Sequence, residues 1–259
     1  MFSSELWNNP GGSSQVGTQK AIFGFGGAGS ASAITNLVSS SGVVAADTAG
    51  VGTARDNITA SGYGEDKAIF GFGYAASFSS ISNLVSNSGV VASDTAGVGT
   101  ARYALTAAMY GGDKAIFGYG QAPAGDSAIS NLVSNSGVVA SDTTGVGTAR
   151  YLPAAAGYGG DKAIFGYGQA PAAGPAKSMT NLVSNSGVIA SDTSGVGTAR
   201  HSLAAAGYGN DKAIFGYGRI VSTSSAITNL VSNSGVVASD VAGVGTARRT
   251  LGAAGYSLS

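Results

Sequence analysis

The segment that decides the fold is Arg102-Tyr-Ala-Leu-Thr-Ala-Ala-Met-Tyr-Gly-Gly-Asp-Lys-Ala-Ile-Phe-Gly-Tyr-Gly120, a loop, and then Ser130-Asn-Leu-Val-Ser-Asn-Ser-Gly-Val-Val-Ala-Ser-Asp142. Its four short apolar runs are separated by turn residues. The first two runs flank Gly-Gly-Asp, which predicts a β-hairpin of strands a and b. The last two flank Asn-Ser-Gly and predict a second hairpin, strands c and d. Glycine recurs too densely for helices.

The same unit occurs five times along the chain. Its Lys-Ala-Ile-Phe-Gly run begins at Lys20, Lys67, Lys114, Lys162 and Lys212. From the Asn of the Asn-Leu-Val-Ser run to the Arg of the Gly-Thr-Ala-Arg run the separation is always 19 residues, and from that Arg to the next Lys it is always 12. From Lys to Asn it varies from 16 to 19. The length variation therefore falls in the loop between strands b and c, which we place on the surface.

Small four-stranded sheets repeated around an axis are typical of β-propellers, which leave few unprotected sheet edges. The chain opens with strands b, c and d (residues 20–47) and closes with strand a alone (residues 248–256), which together make one complete blade. We therefore predict an all-β chain in which residues 20–259 form a five-bladed β-propeller of four-stranded antiparallel blades, closed by the C-terminal strand completing the N-terminal blade. A solenoid is the alternative, although no repeat resembles a polar cap.

Residues 1–19 match none of the repeats. Phe2, Leu6 and Trp7 precede the run Gly11-Gly12-Ser13-Ser14, which is typical of a short flexible arm. One interpretation is a tail that packs on its own domain or stays disordered. The other is a peg that docks the protein into a larger assembly, because the single Trp of the chain is located there.

Composition narrows the partners and the location. Charged residues make up 10% of the chain and the formal net charge is zero, which gives no electrostatic basis for binding nucleic acid or an anionic membrane. The N-terminus has neither a basic region nor an apolar core, so we expect no signal peptide. No run approaches the roughly 18 apolar residues of a membrane helix, so we expect no membrane insertion. A weakly charged surface rich in Gly, Ser and Thr indicates a virion or extracellular protein.

The stretch Arg150-Tyr-Leu-Pro-Ala-Ala-Ala-Gly-Tyr-Gly-Gly-Asp-Lys-Ala-Ile-Phe-Gly-Tyr-Gly168 resembles the kelch repeat of β-propellers. It shares the Arg, the small-residue strand, the turn and the strand that ends at a glycine pair, here split as Gly-Tyr-Gly. The Trp expected beyond the Asp192 type of position is replaced by Gly-Val-Gly. The resemblance covers residues 20–256 and implies the fold but no function, since kelch propellers include enzymes, scaffolds and adhesins. The Gly/Ser/Thr-rich style also resembles repeats of bacteriophage tail and other virion proteins.

Residues that carry catalysis are nearly absent. His201 is the only histidine and there is no cysteine, which severely limits His-ligated metal sites and triads and excludes thiolate sites. Gly24 to Gly29 matches the dinucleotide pattern G-x-G-x-x-G, but it opens no helix that could bind a phosphate. We predict no enzymatic activity, no cofactor and no metal.

Charges that recur in every repeat are more typical of a structural framework than of five active sites. We expect each repeat Arg to pair with the repeat Asp of its own or a neighbouring blade. The framework residues are Arg55, Arg102, Arg150, Arg200 and Arg248, with Asp47, Asp94, Asp142, Asp192 and Asp240.

Binding is predicted on the face that carries the variable b–c loops and the residue after each repeat Arg. In an antiparallel meander these segments emerge on the same side. Aromatic, amide and charged groups concentrate there, a combination that suits sugar or protein recognition. Neutral variation of exposed loops is the alternative interpretation. The candidate ligand-binding residues of this b–c face are Tyr74, Phe78, Tyr103, Gln121, Asp126, Tyr151, Gln169, Lys177, His201, Arg219 and Arg249.

The leading hypothesis is a non-enzymatic structural and recognition module, a phage virion component of the tail or fibre. It would bind a host-surface glycan or a neighbouring virion protein through the b–c face. A multivalent propeller lectin with up to five similar sugar sites is the second hypothesis. A propeller enzyme is the third and is disfavoured by the lack of Cys and the single His.

Overall fold

The computed structural model describes residues 20–27, 29–171 and 174–255, which form strands, turns and irregular chain without a helix. The predicted arm residues Phe2, Leu6 and Trp7 lie outside this part. The strands are β1 (Ala21–Gly24), β2 (Thr35–Val38), β3 (Thr59–Tyr63), β4 (Lys67–Gly71), β5 (Ser82–Val85), β6 (Thr106–Tyr110), β7 (Lys114–Gly118), β8 (Gln121–Ala122), β9 (Gly125–Asp126), β10 (Ser130–Val133), β11 (Ala154–Tyr158), β12 (Lys162–Gly166), β13 (Thr180–Val183), β14 (Ala204–Tyr208), β15 (Lys212–Gly216), β16 (Arg219–Ile220), β17 (Thr223–Ser224) and β18 (Thr228–Val231).

The repeats fold as small antiparallel sheets, so the all-β class is confirmed. Four of them are three-stranded in the order a-b-c: β3-β4-β5, β6-β7-β10, β11-β12-β13 and β14-β15-β18. We call them the second to fifth repeats, each beginning at its repeat Arg. The first repeat, residues 20–47, contributes the pair β1-β2. Tyr110 pairs with Lys114 across a turn in which Gly111 and Gly112 have φ of 61° and 80°, backbone angles that glycine adopts without strain.

Strand d is the exception to the predicted four-stranded unit. In the third repeat it is reduced to two isolated bridges, Ser130↔Thr143 and Val133↔Val139. The side-chain amide of Asn131 donates to the carbonyl of Ala140 at 3.1 Å and so occupies an acceptor that a regular ladder would use. The segment departs from the sheet and carries Asp142 to the backbone amide of Thr100.

Two of the b–c loops contain small hairpins that the repeat pattern did not predict. β8 pairs with β9 in the third repeat, and β16 pairs with β17 in the fifth. The first hairpin turns through Pro123 and Ala124 to Gly125, whose φ is 120°. Both hairpins stand on the predicted binding face and hold the variable loops in defined conformations.

The hydrophobic core lies between consecutive repeats rather than inside one of them. Phe165 of the fourth repeat packs directly on Gly118 of the third, where an added Cβ would come within 2.7 Å of the ring. Phe117 packs in the same way on Gly71, and Phe215 on Gly166. Because each of these glycines has no side chain, the aromatic ring of the next repeat can lie directly against its backbone. Each repeat is therefore stabilised by its neighbours, as in repeat proteins generally.

The predicted closure of a ring is not formed by the described residues. Residues 251–255 form no strand, and within the described chain β1 pairs only with β2. The amide of Thr250 instead donates to the carbonyl of Ser202 at 2.9 Å, just as the amide of Ser202 donates to the carbonyl of Leu152 at 3.2 Å. The C-terminal segment thus continues the succession of repeats beside β14, because its backbone bonds follow the same pattern as in each preceding repeat.

Candidate binding face

The framework arginines occupy the interior of each repeat. The side chain of Arg102 is 0% exposed and its guanidinium donates to three oxygens: the carbonyl of Tyr119 at 3.0 Å, the carbonyl of Thr100 at 3.1 Å and Oδ1 of Asn131 at 2.6 Å. It also lies 4.6 Å from the ring centroid of Phe72 in the preceding repeat, a cation–π distance. Burial lowers the pKa of Arg102 to about 10, an effect that Asp142 opposes, so the side chain is charged at neutral pH.

The repeat aspartate completes this cluster. Oδ1 of Asp142 lies 3.6 Å from Nη1 of Arg102, while Oδ2 accepts hydrogen bonds from the amide and the hydroxyl of Thr100 at 2.9 and 2.7 Å. Burial raises the pKa of Asp142, but the hydrogen bonds from Thr100 and Asn131 and the charge of Arg102 outweigh it. The net pKa is below the ordinary value of an aspartate.

The same cluster is built in four repeats, always from the Arg and the Asp of one repeat. The ion pairs are Arg55–Asp94 at 3.6 Å, Arg102–Asp142 at 3.6 Å, Arg150–Asp192 at 4.0 Å and Arg200–Asp240 at 3.7 Å. The two ends of the chain hold the unmatched halves. Asp47 accepts from Asn36 but has no arginine partner among the described residues, and Arg248 is exposed without a described carboxylate.

Acid should weaken the fold through these aspartates. The pKa values of Asp94, Asp142, Asp192 and Asp240 are all lowered in the folded chain. Their contribution to stability is therefore present above the unfolded pKa of about 3.9 and is lost as the pH falls through the lower folded values. We expect the urea midpoint to fall steeply below about pH 4. Asp142→Asn should flatten that dependence more than Asp47→Asn, the same change at the unpaired first-repeat position. Equal slopes for the two variants would contradict this assignment.

The predicted b–c face is assembled as a row of residue pairs. The residue after each repeat Arg bridges to the residue that follows the Gly-x-Gly of the same repeat, so the candidates that are far apart in sequence meet. The bridges are Asp56↔Tyr74, Tyr103↔Gln121, Tyr151↔Gln169 and His201↔Arg219. The same structural position thus holds Asp–Tyr in the second repeat, Tyr–Gln in the third and fourth, and His–Arg in the fifth.

Aromatic rings cluster at the second and third repeats. The centroid of Tyr103 lies 5.8 Å from that of Tyr74 and 5.3 Å from that of Phe78, and Tyr74 and Phe78 are 5.9 Å apart. Tyr74 is 38% exposed, so this cluster presents a ring to solvent. Such a surface suits the apolar face of a sugar or an apolar side chain of a protein.

Polar groups occupy the middle of the row. The hydroxyl of Tyr103 donates to Oε1 of Gln121, and that of Tyr151 donates to Oε1 of Gln169 at 2.8 Å. Between them lies Asp126 on β9, whose two carboxylate oxygens are both inaccessible and accept no hydrogen bond of good geometry within the described chain. Burial raises the pKa of Asp126, and the nearby amide of Gln121 offsets part of the rise. A buried carboxylate without donors is costly to keep charged, which is why the pKa of Asp126 is raised rather than lowered.

Basic groups lie at the far end of the row, but they are not equally accessible. His201 is 6% exposed, and its Nδ1 lies 2.9 Å from the hydroxyl of Ser202. Burial, followed by the charges of Arg219 and Arg249, lowers the pKa of His201, so it is neutral at pH 7. The structure thus places His201 beneath the face, while Arg249 is exposed. Lys177 is half-buried and bridges to Arg200 through the backbone.

One group was missed by the sequence analysis: the repeat asparagine that links Arg to Asp. Asn131 accepts from Arg102 and donates to Asp142 at 2.9 Å, and Asn83, Asn181 and Asn229 do the same in their repeats. The asparagine was used only as a marker of strand c. The asparagine recurs together with Arg and Asp in every repeat, and this joint recurrence is the sequence pattern from which its role could have been predicted.

The described residues offer little support for a metal site or a membrane-spanning helix. No group of three or more His, Cys, Asp or Glu there could hold a metal ion. No helix long and apolar enough to span a membrane occurs in the described part of the chain. The chain matches no family model and no curated protein.

Proposed function

We propose that the protein is a non-enzymatic recognition module that binds a carbohydrate through the b–c face. The observation that carries the proposal is the cluster of Tyr74, Phe78 and Tyr103, in which the ring of Tyr74 is 38% exposed beside the polar Tyr103–Gln121 pair. The exposed ring of Tyr74 can stack against the apolar face of a sugar, and the neighbouring hydroxyl and amide groups suit its hydroxyls. The ligand class is therefore a polyhydroxylated one.

A single composite site is favoured over five similar ones. The paired positions along the row hold Asp–Tyr, Tyr–Gln, Tyr–Gln and His–Arg in successive repeats, and a carboxylate at the Asp126 position occurs only in the third. Binding by a lectin with five equivalent sites would require the same groups in each repeat. We expect a stoichiometry near one ligand per chain.

The setting we propose is a phage virion or the extracellular space, with a host-surface glycan as the ligand. The support is the low charge of the chain and the resemblance of its repeats to those of tail proteins. A neighbouring virion protein that presents hydroxyl or amide donors to the same face is the second candidate. For such a protein partner, the apolar cluster of Tyr74, Phe78 and Tyr103 would be the main contact surface.

The test is a glycan array followed by titration calorimetry with the best glycan. Tyr74→Ala should weaken binding at least tenfold while leaving the urea midpoint nearly unchanged, because it removes the exposed ring that stacks on the sugar. Val221→Ala is the matched control, since Val221 is exposed in the β16–β17 hairpin of the same face, and it should bind as the parent does. Absence of any glycan binding, or equal affinity of the Tyr74→Ala variant and the parent, would contradict the proposal.

A further inference from the structure

The two ends of the described chain expose the two halves of one interface. Between internal repeats, the aromatic residue of strand b packs on a glycine of the preceding repeat: Phe70 on Gly24, Phe117 on Gly71 and Phe165 on Gly118. In the first repeat the equivalent Phe23 is 63% exposed. In the fifth, a Cβ on Gly216 would meet nothing closer than a methyl group of Thr228 at 3.4 Å. Within the described residues, the ring of Phe23 packs on no glycine of another repeat, and no aromatic ring packs on Gly216.

A second contact of the internal interface is split in the same way. Leucine of strand c packs on the glycine of the c–d turn in the next repeat, as Leu132 does on Gly187, where an added Cβ would lie 2.8 Å from the leucine side chain. At the ends, Leu230 is 40% exposed, and an added Cβ on Gly42 would meet nothing within 4 Å. Tyr208, whose counterparts Tyr63, Tyr110 and Tyr158 are buried, is also 40% exposed.

The polar cluster is divided between the ends as well. The last arginine, Arg248, donates to the carbonyl of Thr246 at 3.1 Å and lies 4.1 Å from the ring centroid of Tyr217. It lacks the asparagine and aspartate that its four counterparts contact. Asn36 and Asp47 of the first repeat, 2.8 Å apart, are that pair and have no arginine among the described residues. The charges of the two ends are therefore opposite.

The backbone at the two ends of the described chain is complementary as well. Strand a is absent from the described part of the first repeat, so one edge of β1 borders a cavity of about 900 Å³ whose walls include Ala21, Ile22 and Gly62. At the other end, residues 252–255 occupy the strand-a position but pair with no strand b. They are held beside β14 by the bond from Thr250 to Ser202 and so present a prearranged edge. Strand addition supplies affinity through main-chain hydrogen bonds.

We propose that the protein associates head to tail with a second copy of itself. Residues 248–255 of one copy pair with β1 of the next, Arg248 enters the cluster of Asn36 and Asp47, and Phe23 packs on Gly216. The interface reproduces the one that joins consecutive repeats within the chain. It is heterologous, because the two contacting surfaces differ, and such an interface extends into filaments or closes into larger rings.

Analytical ultracentrifugation over a range of protein concentrations tests the proposal. The parent chain should form oligomers that grow with concentration. Phe23→Asp blocks the first-repeat end and Arg248→Glu blocks the C-terminal end, so each variant alone should stay monomeric, with an apparent association constant at least tenfold below that of the parent. Both residues are exposed, and unchanged urea midpoints would show that the variants fold.

Mixing the two variants is the decisive experiment. Each retains one intact end, so an equimolar mixture should form a one-to-one dimer and nothing larger. A parent chain that is monomeric at all concentrations, including one whose ends meet within a single molecule, would overturn the proposal. So would a mixture that stays monomeric, or a single variant that still forms oligomers.

Discussion

Replacing Arg102 with Ala is expected to lower the free energy of unfolding by about 3–5 kcal/mol, because it removes a fully buried guanidinium and leaves several buried acceptors without a donor. Three acceptors lose their donor, namely the carbonyls of Tyr119 and Thr100 and the amide oxygen of Asn131. Asp142 also loses its ion-pair partner. The substitution also leaves an empty space under the ring of Phe72, on which the guanidinium packs. The third repeat and its contact with the second should weaken together.

The chain supplies a matched control for this substitution. Arg248 is chemically equivalent but exposed, so Arg248→Ala should cost less than about 1 kcal/mol in the monomer. Arg102→Lys should give an intermediate loss, since a lysine ammonium cannot reproduce the planar fork that serves several acceptors. Urea unfolding followed by circular dichroism at low protein concentration measures all three. Equal losses for Arg102→Ala and Arg248→Ala would show that the internal clusters do not stabilise the repeats.

The repeat pattern was sufficient to predict the a–b hairpins. The constant Arg-to-Lys spacing and the Gly-Gly-Asp turn predicted the a–b hairpin, and the structure pairs Tyr110 with Lys114 as expected. Period-two strands joined by glycine turns depend on neighbouring residues only, which is why they can be predicted from sequence. The pairing of Arg102 with Asp142 followed from their joint recurrence, although the intervening Asn131 was missed.

Features that depend on distant contacts could not be predicted in this way. Strand d is irregular because side chains, not the backbone ladder, satisfy part of its hydrogen bonds. The ring closure was inferred from strands that complement each other in sequence, but complementarity does not say whether they meet in one molecule. Likewise, a position in the repeat says nothing about burial, so the accessible Arg249 and the buried His201, which both follow a repeat Arg, looked alike in sequence.

Phe165→Ala is expected to lower the free energy of unfolding by about 3–5 kcal/mol, the range measured when a large buried aromatic side chain is truncated. The ring of Phe165 is 0% exposed and fills the space between the third and fourth repeats. It packs on Gly118 and lies edge-on to Tyr119, with 5.2 Å between ring centroids. Because Gly118 has no side chain to move into the cavity, little of the lost contact can be recovered.

The same truncation at Phe23 should change the free energy of unfolding of the monomer by less than about 0.5 kcal/mol, because that ring is 63% exposed. Hydrogen exchange distinguishes a local cavity from loss of the interface. In the Phe165→Ala variant, protection should fall in both β7 and β12, which carry Gly118 and Phe165, since stability in a stack of repeats comes largely from contacts between neighbours. Loss of protection in β12 alone would mean that the repeats are stabilised individually, and the central role of the interface between repeats would have to be abandoned.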